Sequence, residues 1–409
     1  MKKNILFAAL LTLLVLLCSF SESPDGIREE DLSKYTILYS KRSPDTAVEA
    51  VYNIAAALSD RCGTELTVIA DQSKNPTPET EYEILVGHLD RPETNAFIET
   101  LGENEFGYTV AGKKIIIAGQ SQNATTHAVE LFTNEVVQAD SAGKKVFLEA
   151  DTRNTERLEA NLSVMSFNLW VIDVAERFYP LVNQILARSP DVFGVQEAND
   201  FWMNTLPYSL PDYAWVGEHR DSQPPSERTA IFYRKDKFTL LDSGTYWLSE
   251  TPEKISAVED SLYNRIMTYA VLQRNEDGKT FIHINTHLDH LQDRVRKQQV
   301  KHLLEIIDTL PDYPIVLTGD FNTSYNTVSF TTTSYNHILS GGFRNAADLA
   351  LSGDKPTDSS YSGYGEYTGL LPIDFIFIND EHTMKPVLYE VCNEEMVSDH
   401  YAVYAELMY

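Results

Sequence analysis

The stretch Pro314-Ile315-Val316-Leu317-Thr318-Gly319-Asp320-Phe321-Asn322 opens as a short apolar run rich in β-branched residues. That is the pattern of a buried strand. The run ends at a glycine, after which an aspartate and an asparagine stand two residues apart. Side chains at i and i+2 of an extended chain share a face. Asp320 and Asn322 are therefore expected to point together beyond the carboxyl end of the strand, where open α/β sheets gather their ligands. Gly-Asp followed by Asn is also ordinary turn chemistry, and this fragment alone leaves both readings open.

The same device recurs on either side of it. A strand over 162–167 ends at Asn168, and one over 191–195 delivers Gln196-Glu197. The run 281–285 leads into Thr286-His287-Leu288-Asp289-His290. Asp374 stands in Ile373-Asp374-Phe375-Ile376-Phe377, and Ser398-Asp399-His400 precedes a closing strand over 401–407. Taken singly, Asn168 reads equally as a cap, Glu197 as an ion-pair partner and His287 as a satisfied core histidine. Six such positions in order at consecutive strand ends are hard to assign to caps and turns. Hard oxygen ligands without cysteine suit Mg²⁺, or Mn²⁺, and phosphate chemistry. In-line attack on phosphorus needs charge offset on the phosphate oxygens and a base for water. A histidine held by a carboxylate is a competent base near neutrality. Arg265, in Asn264-Arg265-Ile266, offers a positive contact to phosphate, with a plain ion pair as the competing reading.

The ordered set Ser166-Phe167-Asn168, Gln196-Glu197, Asn285-Thr286-His287, Gly319-Asp320-Phe321-Asn322, Ile373-Asp374 and Ser398-Asp399-His400 resembles the endonuclease/exonuclease/phosphatase superfamily over about residues 160–409. Thr245-Tyr246-Trp247-Leu248-Ser249-Glu250-Thr251-Pro252 resembles a bacterial secreted subgroup of it. The resemblance implies an α/β (α+β) four-layer sandwich, two packed mixed sheets flanked by helices. It implies a metal-dependent phosphoric ester hydrolase with Glu197 as main metal ligand and Asn168 and Asp399 beside it. Asp374 would orient His400, which would activate water or stabilise the transition state. Asp320 and Asn322 would position the nucleophile and the phosphate oxygens. His287 would touch the scissile phosphate or act as acid toward the leaving group. Asn199 stands where pancreatic deoxyribonuclease has an arginine, and the tryptophan-rich signatures of inositol polyphosphate phosphatases are missing. The substrate stays open between diester and monoester.

At 409 residues, 43% hydrophobic and 23% charged, the chain has the composition of a two-domain globular protein. A formal charge of −27 is a poor footprint for holding a polyanion, so tight nucleic-acid binding is not expected. Arg294, Arg296, Lys297 and Lys301 would form a basic strip for a secreted endonuclease, or the solvated face of a helix. Residues 1–21 read as a signal peptide, with Lys2 and Lys3 before an apolar run over 5–17. Leu16-Leu17-Cys18-Ser19 resembles a lipoprotein box in which Cys18 would be lipidated, giving a membrane anchor; plain cleavage nearby is the alternative. Either route exports the protein from a bacterial cell, to the envelope or beyond.

Residues 22–150 read as a small α/β domain, 151–160 as a polar linker, and 161–409 as the domain that carries the chemistry. The first domain, through Tyr82-Glu83-Ile84-Leu85-Val86-Gly87, Arg91-Pro92-Glu93-Thr94 and Lys114-Ile115-Ile116-Ile117-Ala118-Gly119, resembles the accessory domain that precedes the barrel of some secreted hexosaminidases and glucuronidases. A glycan is its expected partner. A surface glycan-binding protein with a spent second domain is the non-enzyme alternative.

Overall fold

Aliphatic and β-branched runs at Thr36–Ser40, Glu83–Val86 and Lys114–Gly119 make the buried centre of a six-stranded sheet in the first unit. The structure, a computed structural model, describes residues 26–72, 76–138, 146–172, 174–324, 333–354, 358–366, 372–380 and 383–409. The leader over 1–21, Cys18 included, lies outside them. Parallel pairing joins Thr67–Asp71, Thr36–Ser40, Glu83–Val86 and Lys114–Gly119 in that order, and Glu105–Ala111 returns antiparallel. The return is a tight turn whose Gly112 has φ 62°, the left-handed region that costs glycine least. The helix Asp45–Cys62 ends at Gly63, again left-handed, as the Cys62-Gly63 pair implies.

The polar stretch 151–160, expected as a linker, instead contributes a strand. Arg153–Arg157 pairs antiparallel with Glu105–Ala111. Polar side chains are compatible with this because an edge strand needs only its backbone hydrogen bonds and one half-buried face. The chain divides into two compact units between Arg157 and Leu158.

The second unit is a sandwich of two mixed sheets. One has seven strands in the order Tyr213–Val216, Glu227–Arg234, Val192–Asn199, Leu162–Asn168, Ala402–Met408, Lys385–Cys392, Ser352–Gly353. The other has six, in the order Phe238–Trp247, Ile266–Arg274, Thr280–His287, Ile315–Asp320, Asp374–Ile378, Arg344–Asn345. Their inner faces share one core that includes Val164, Ile231, Val316, Ile376 and Ala405. Helices Val174–Arg188 and Asp200–Ser209 cover the outer face of the first sheet through Phe178, Leu181, Ile185, Trp202 and Leu206. Helices Asp293–Ile307 and Thr333–Ser340 cover the second through Val300, Leu303, Tyr335 and Ile338. This is the four-layer α/β sandwich.

A proline suits the first turn of a helix, which would place a helix start next to Pro180. The helix begins earlier, at Val174, and carries Pro180 inside it. The missing N–H leaves one carbonyl unbonded; the buried Phe178, Leu181, Val182 and Ile185 hold the helix down on both sides. Cys62 and Cys392 are both free thiols. Among the described residues no helix is long and apolar enough to cross a membrane.

A polar thread runs between the sheets. Asn285 donates to the carbonyls of Val195 and Ala230 and accepts from Gln196 Nε2 at 2.7 Å and Thr318 Oγ1 at 3.1 Å. His283 Nε2 lies 2.9 Å from Thr318 Oγ1, while its Nδ1 has no hydrogen-bond partner among the described residues. Burial pulls the His283 pKa down to about 3. The unfolded ring binds a proton near pH 6.5, so below that pH the unfolded state holds the extra proton and stability falls with acid, by about 1.4 kcal/mol per unit. We expect acidification from pH 6.5 to 5 to cost wild type about 2 kcal/mol more than His283→Gln. All four tryptophans (Trp170, Trp202, Trp215, Trp247) lie in this unit, so fluorescence-detected urea unfolding reads it. Equal losses in both proteins would refute the assignment.

Candidate active site

Sheet register sets three of the site residues side by side. His287 pairs with Asp320 across a parallel ladder, and Asp320 with Asp374 across an antiparallel one. In the facing sheet Asn168 ends its strand opposite Gln196. The register then slips between Val195 and Ala198, and Glu197 takes a left-handed φ of 55°. A bulge of this kind re-aims a side chain, and holding a non-glycine residue there costs on the order of 1–3 kcal/mol. It turns Glu197 into the cleft, where Oε2 accepts from Val171 N at 3.1 Å.

Asn168 joins the two sheets. Its Oδ1 accepts from Trp170 N at 3.0 Å, which orients the amide. Nδ2 then donates to Glu197 Oε1 at 3.2 Å and to Asp320 Oδ2 at 2.9 Å. Asp320 also accepts from the Asn322 backbone N–H, at 3.0 Å to Oδ1.

Strand alternation is therefore not what unites Asp320 and Asn322. The strand stops at Asp320 and Asn322 sits at φ 48°, so the turn reading of Gly-Asp-Phe-Asn holds. Asn322 Nδ2 donates to Leu288 O at 3.1 Å and ties this turn to the one after His287.

His400 is held from behind. Its Nδ1 donates to Asp374 Oδ2 at 2.8 Å, and Ser360 Oγ accepts from the Ile373 and Asp374 N–H groups at 3.0 Å each. Nε2 then lies 3.7 Å from Asp320 Oδ2 and 4.0 Å from Asp399 Oδ1. Burial alone would lower the His400 pKa, but Asp374, Asp320 and Asp399 more than offset it and push it up to about 10. His287, with Nε2 3.4 Å from Asp320 Oδ2, goes the other way. Burial, then Arg265 and Arg220, hold it well below the usual histidine range, so the ring is neutral.

Burial raises Asp320 as well, with His400 opposing and Asp374 adding to the rise. Asp399 is pushed up to about 6 by burial, against His400, with the Glu197 charge adding.

The cleft has about 390 Å³ of room, and Glu197, Arg265, His287, Asp320, Asp399 and His400 line it together with Asn322. Asn168 and Asp374 stand behind these. Arg265 is buried, its Nε has no hydrogen-bond partner, and among the described residues no carboxylate lies within 4.0 Å of it. Its Nη2 is 3.4 Å from His290 Nδ1. The structure thus brings together all nine second-unit residues singled out in the sequence. The further lining residues, which the sequence reading assigns no role, include Arg220, Glu227, Tyr263, His290 and Tyr361. Tyr263 and His290 flank Arg265 and His287 in sequence, the one signal that pointed to them.

A divalent cation fits the donor chemistry. Glu197 and Asp399 face one cleft with hard oxygen atoms, and the rise of the Asp399 pKa through Glu197 is the repulsion that a cation relieves. Asp320, Asp374 and His400 also have donor atoms within 4.8 Å of one another. There, however, Nδ1 of His400 is committed to Asp374, so that trio reads better as a proton relay than as a cage. On the helix Asp293–Ile307 the four basic residues do not form one strip: Arg296 is buried and donates to Asp289 O, while Arg294, paired with Asp260, Lys297, and Lys301, paired with Glu305, lie on the solvated face. Asn199 caps the helix Asp200–Ser209 by accepting from Trp202 N.

A family model described as "Endonuclease/Exonuclease/phosphatase family" matches residues 165–400. No curated protein matches the chain at a significant level. Among solved structures, the chain is similar to a mannosyl-6-phosphatase of Bacteroides thetaiotaomicron, at 25% identity over 61% of this chain and 100% of that one, with a TM-score of 0.55. It is similar to endonuclease/exonuclease/phosphatase family proteins of Bacteroides thetaiotaomicron (26% identity, 61% and 98% covered, TM-score 0.55) and Bacteroides vulgatus (26%, 61% and 99%, 0.55).

Proposed function

The chain belongs to the endonuclease/exonuclease/phosphatase family, and from that premise we propose that it is an exported, Mg²⁺-dependent phosphoesterase acting on a small phosphomonoester of a hydroxylated alcohol. The observation that carries this reading is one cleft in which Arg265, a buried cation with no carboxylate within 4.0 Å among the described residues, faces Glu197, Asp320, His287 and His400. A dianionic phosphoryl group supplies the charge that Arg265 lacks, and guanidinium binds phosphate oxygens with directed hydrogen bonds. Similarity to a mannosyl-6-phosphatase and a cleft of phosphosugar size support a monoester.

A divalent cation held by Glu197 and Asp399 would offset charge on the phosphate oxygens as water attacks. Asp320, buried and anchored by Asn168 and Asn322, accepts the proton of that water. His400, charged and fixed by Asp374, faces the developing negative charge. Neutral His287 offers an N–H to a phosphate oxygen. Asn168 keeps Glu197 and Asp320 at a fixed spacing.

A secreted endonuclease is disfavoured because these basic residues are buried, ion-paired or spread over a solvated helix face. A spent glycan-binding protein is disfavoured by the complete residue set. Export through the 1–21 leader, with Cys18 lipidated, and a glycan partner for the first unit complete the proposal. The test is hydrolysis of a phosphosugar, a generic diester, sphingomyelin and plasmid DNA with and without Mg²⁺. Metal-dependent release of phosphate from the phosphosugar is expected, and plasmid nicking with no monoesterase activity would overturn the reading.

A further inference from the structure

The cleft holds two arginines in opposite electrostatic states. Among the described residues Arg265 has no carboxylate within 4.0 Å. Arg220 is saturated: Nη1 and Nη2 each lie 2.9 Å from a Glu227 oxygen, and Nε lies 3.1 Å from Asp221 Oδ2. Asp221 is fixed in turn by Asn264 Nδ2 at 2.6 Å and donates its own N–H to Ser226 Oγ. A guanidinium forked onto a carboxylate carries little net charge and attracts phosphate weakly. It still presents rigid donors beside rigid acceptors, and both partners line the cleft.

Over this pair lies Tyr263. Its ring centroid is 4.7 Å from the Arg220 guanidinium and 5.6 Å from that of Arg265, and it stacks on His290 at 6.0 Å and 30°. Tyr263 nevertheless stays 43% exposed. An open aromatic surface at the cleft, stiffened by two guanidinium groups and an imidazole, is unnecessary for the hydrolytic step. An aromatic surface beside a planar donor–acceptor pair matches a pyranose, which has an apolar C–H face and a rim of hydroxyls.

We infer that Tyr263 and the Arg220–Glu227 pair form a subsite that reads the hydroxylated ring of the substrate, separate from the Arg265 position that takes the phosphate. The inference rests on the phosphomonoesterase reading and names its substrate class as a hexose phosphate. Arg220 and Glu227 act as one unit, because Glu227 keeps the guanidinium neutralised and in plane.

The test uses the full chain with Mg²⁺ and compares kcat/KM for mannose 6-phosphate with that for n-hexyl phosphate, which has the carbon count without the hydroxyls. Wild type is expected to favour the sugar by about 100-fold or more, since a site built to bond hydroxyls rejects the analogue lacking them. In Tyr263→Ala and in Glu227→Gln that ratio is expected to fall about tenfold or more, and Tyr263→Phe is expected to keep it. Loss of phosphate affinity alone would slow both substrates together and leave the ratio unchanged, which would overturn the subsite while the reaction stands. A preference for a nucleoside 5′-monophosphate, abolished by Tyr263→Ala, would overturn the sugar assignment. Should wild type hydrolyse no ester, calorimetry decides separately. Mannose 6-phosphate binding more tightly than inorganic phosphate, with the difference lost in Tyr263→Ala, supports the subsite; equal affinities reject it.

Discussion

Replacing His400 with alanine is expected to lower kcat by about 10³-fold on any phosphate ester that wild type turns over, within the range that positioned acid–base and charge-stabilising groups contribute. The ring is buried, its Nδ1 is spent on Asp374 at 2.8 Å, and its Nε2 faces Asp320 and the cleft. Asp374→Ala removes the group that orients and charges the ring, so its loss should approach that of His400→Ala. Residues that act as one unit give strongly non-additive losses. The double variant is therefore expected to be no slower than the worse single by more than about threefold. Removing the imidazole also leaves Asp320 and Asp374 facing each other across a buried gap, and an uncompensated buried charge can cost about 3–5 kcal/mol. Tryptophan fluorescence of each variant must first show a folded second unit. Folded singles that keep more than a tenth of the activity, or losses that multiply in the double, would show that His400 and Asp374 do not form one device.

The site was legible because a β-sheet converts sequence order into spatial order. Residues at the ends of neighbouring strands must lie side by side, so His287, Asp320 and Asp374 are adjacent once the ladders form. What periodicity cannot decide depends on backbone that leaves the regular ladder. The left-handed turn at Asn322 and the bulge at Glu197 have no periodicity to betray them, since each is set by where its side chain bonds. The strand Arg153–Arg157 is invisible in hydropathy because an edge strand bonds through its backbone. Arg220 and Glu227 each resemble ordinary surface charges; only the fold shows them paired on a cleft wall. Pro180 shows the same limit of local rules. Local steric preference favours a helix start, and the apolar stripe around it outweighs one missing hydrogen bond.

Glu197→Gln is expected to separate the cation from the rest of the machinery through two effects of opposite sign. In metal-free protein, Glu197 and Asp399 share one cleft, and the Glu197 charge helps raise the Asp399 pKa to about 6. Removing that charge relieves the repulsion, so the variant without metal should unfold at the same or a higher urea concentration than wild type at pH 7. A group whose folded pKa is raised destabilises the native state above its unfolded value, and relief acts in the stabilising direction there. Adding Mg²⁺ should reverse the order. Wild type gains RT ln(1 + [L]/Kd), about 2.7 kcal/mol at a hundredfold excess over Kd, whereas the variant loses a charged ligand and gains little. Activity should follow the metal: chelation should abolish turnover in wild type, Mg²⁺ should restore it, and the variant should remain about 10³-fold slower at saturating substrate. Asp374→Asn serves as contrast, because it weakens His400 from behind while leaving Glu197 and Asp399 in place; its unfolding should still shift with Mg²⁺. If Mg²⁺ stabilised Glu197→Gln as much as wild type, the cation would have to be held elsewhere, and the Asp320, Asp374 and His400 group would be the place to look.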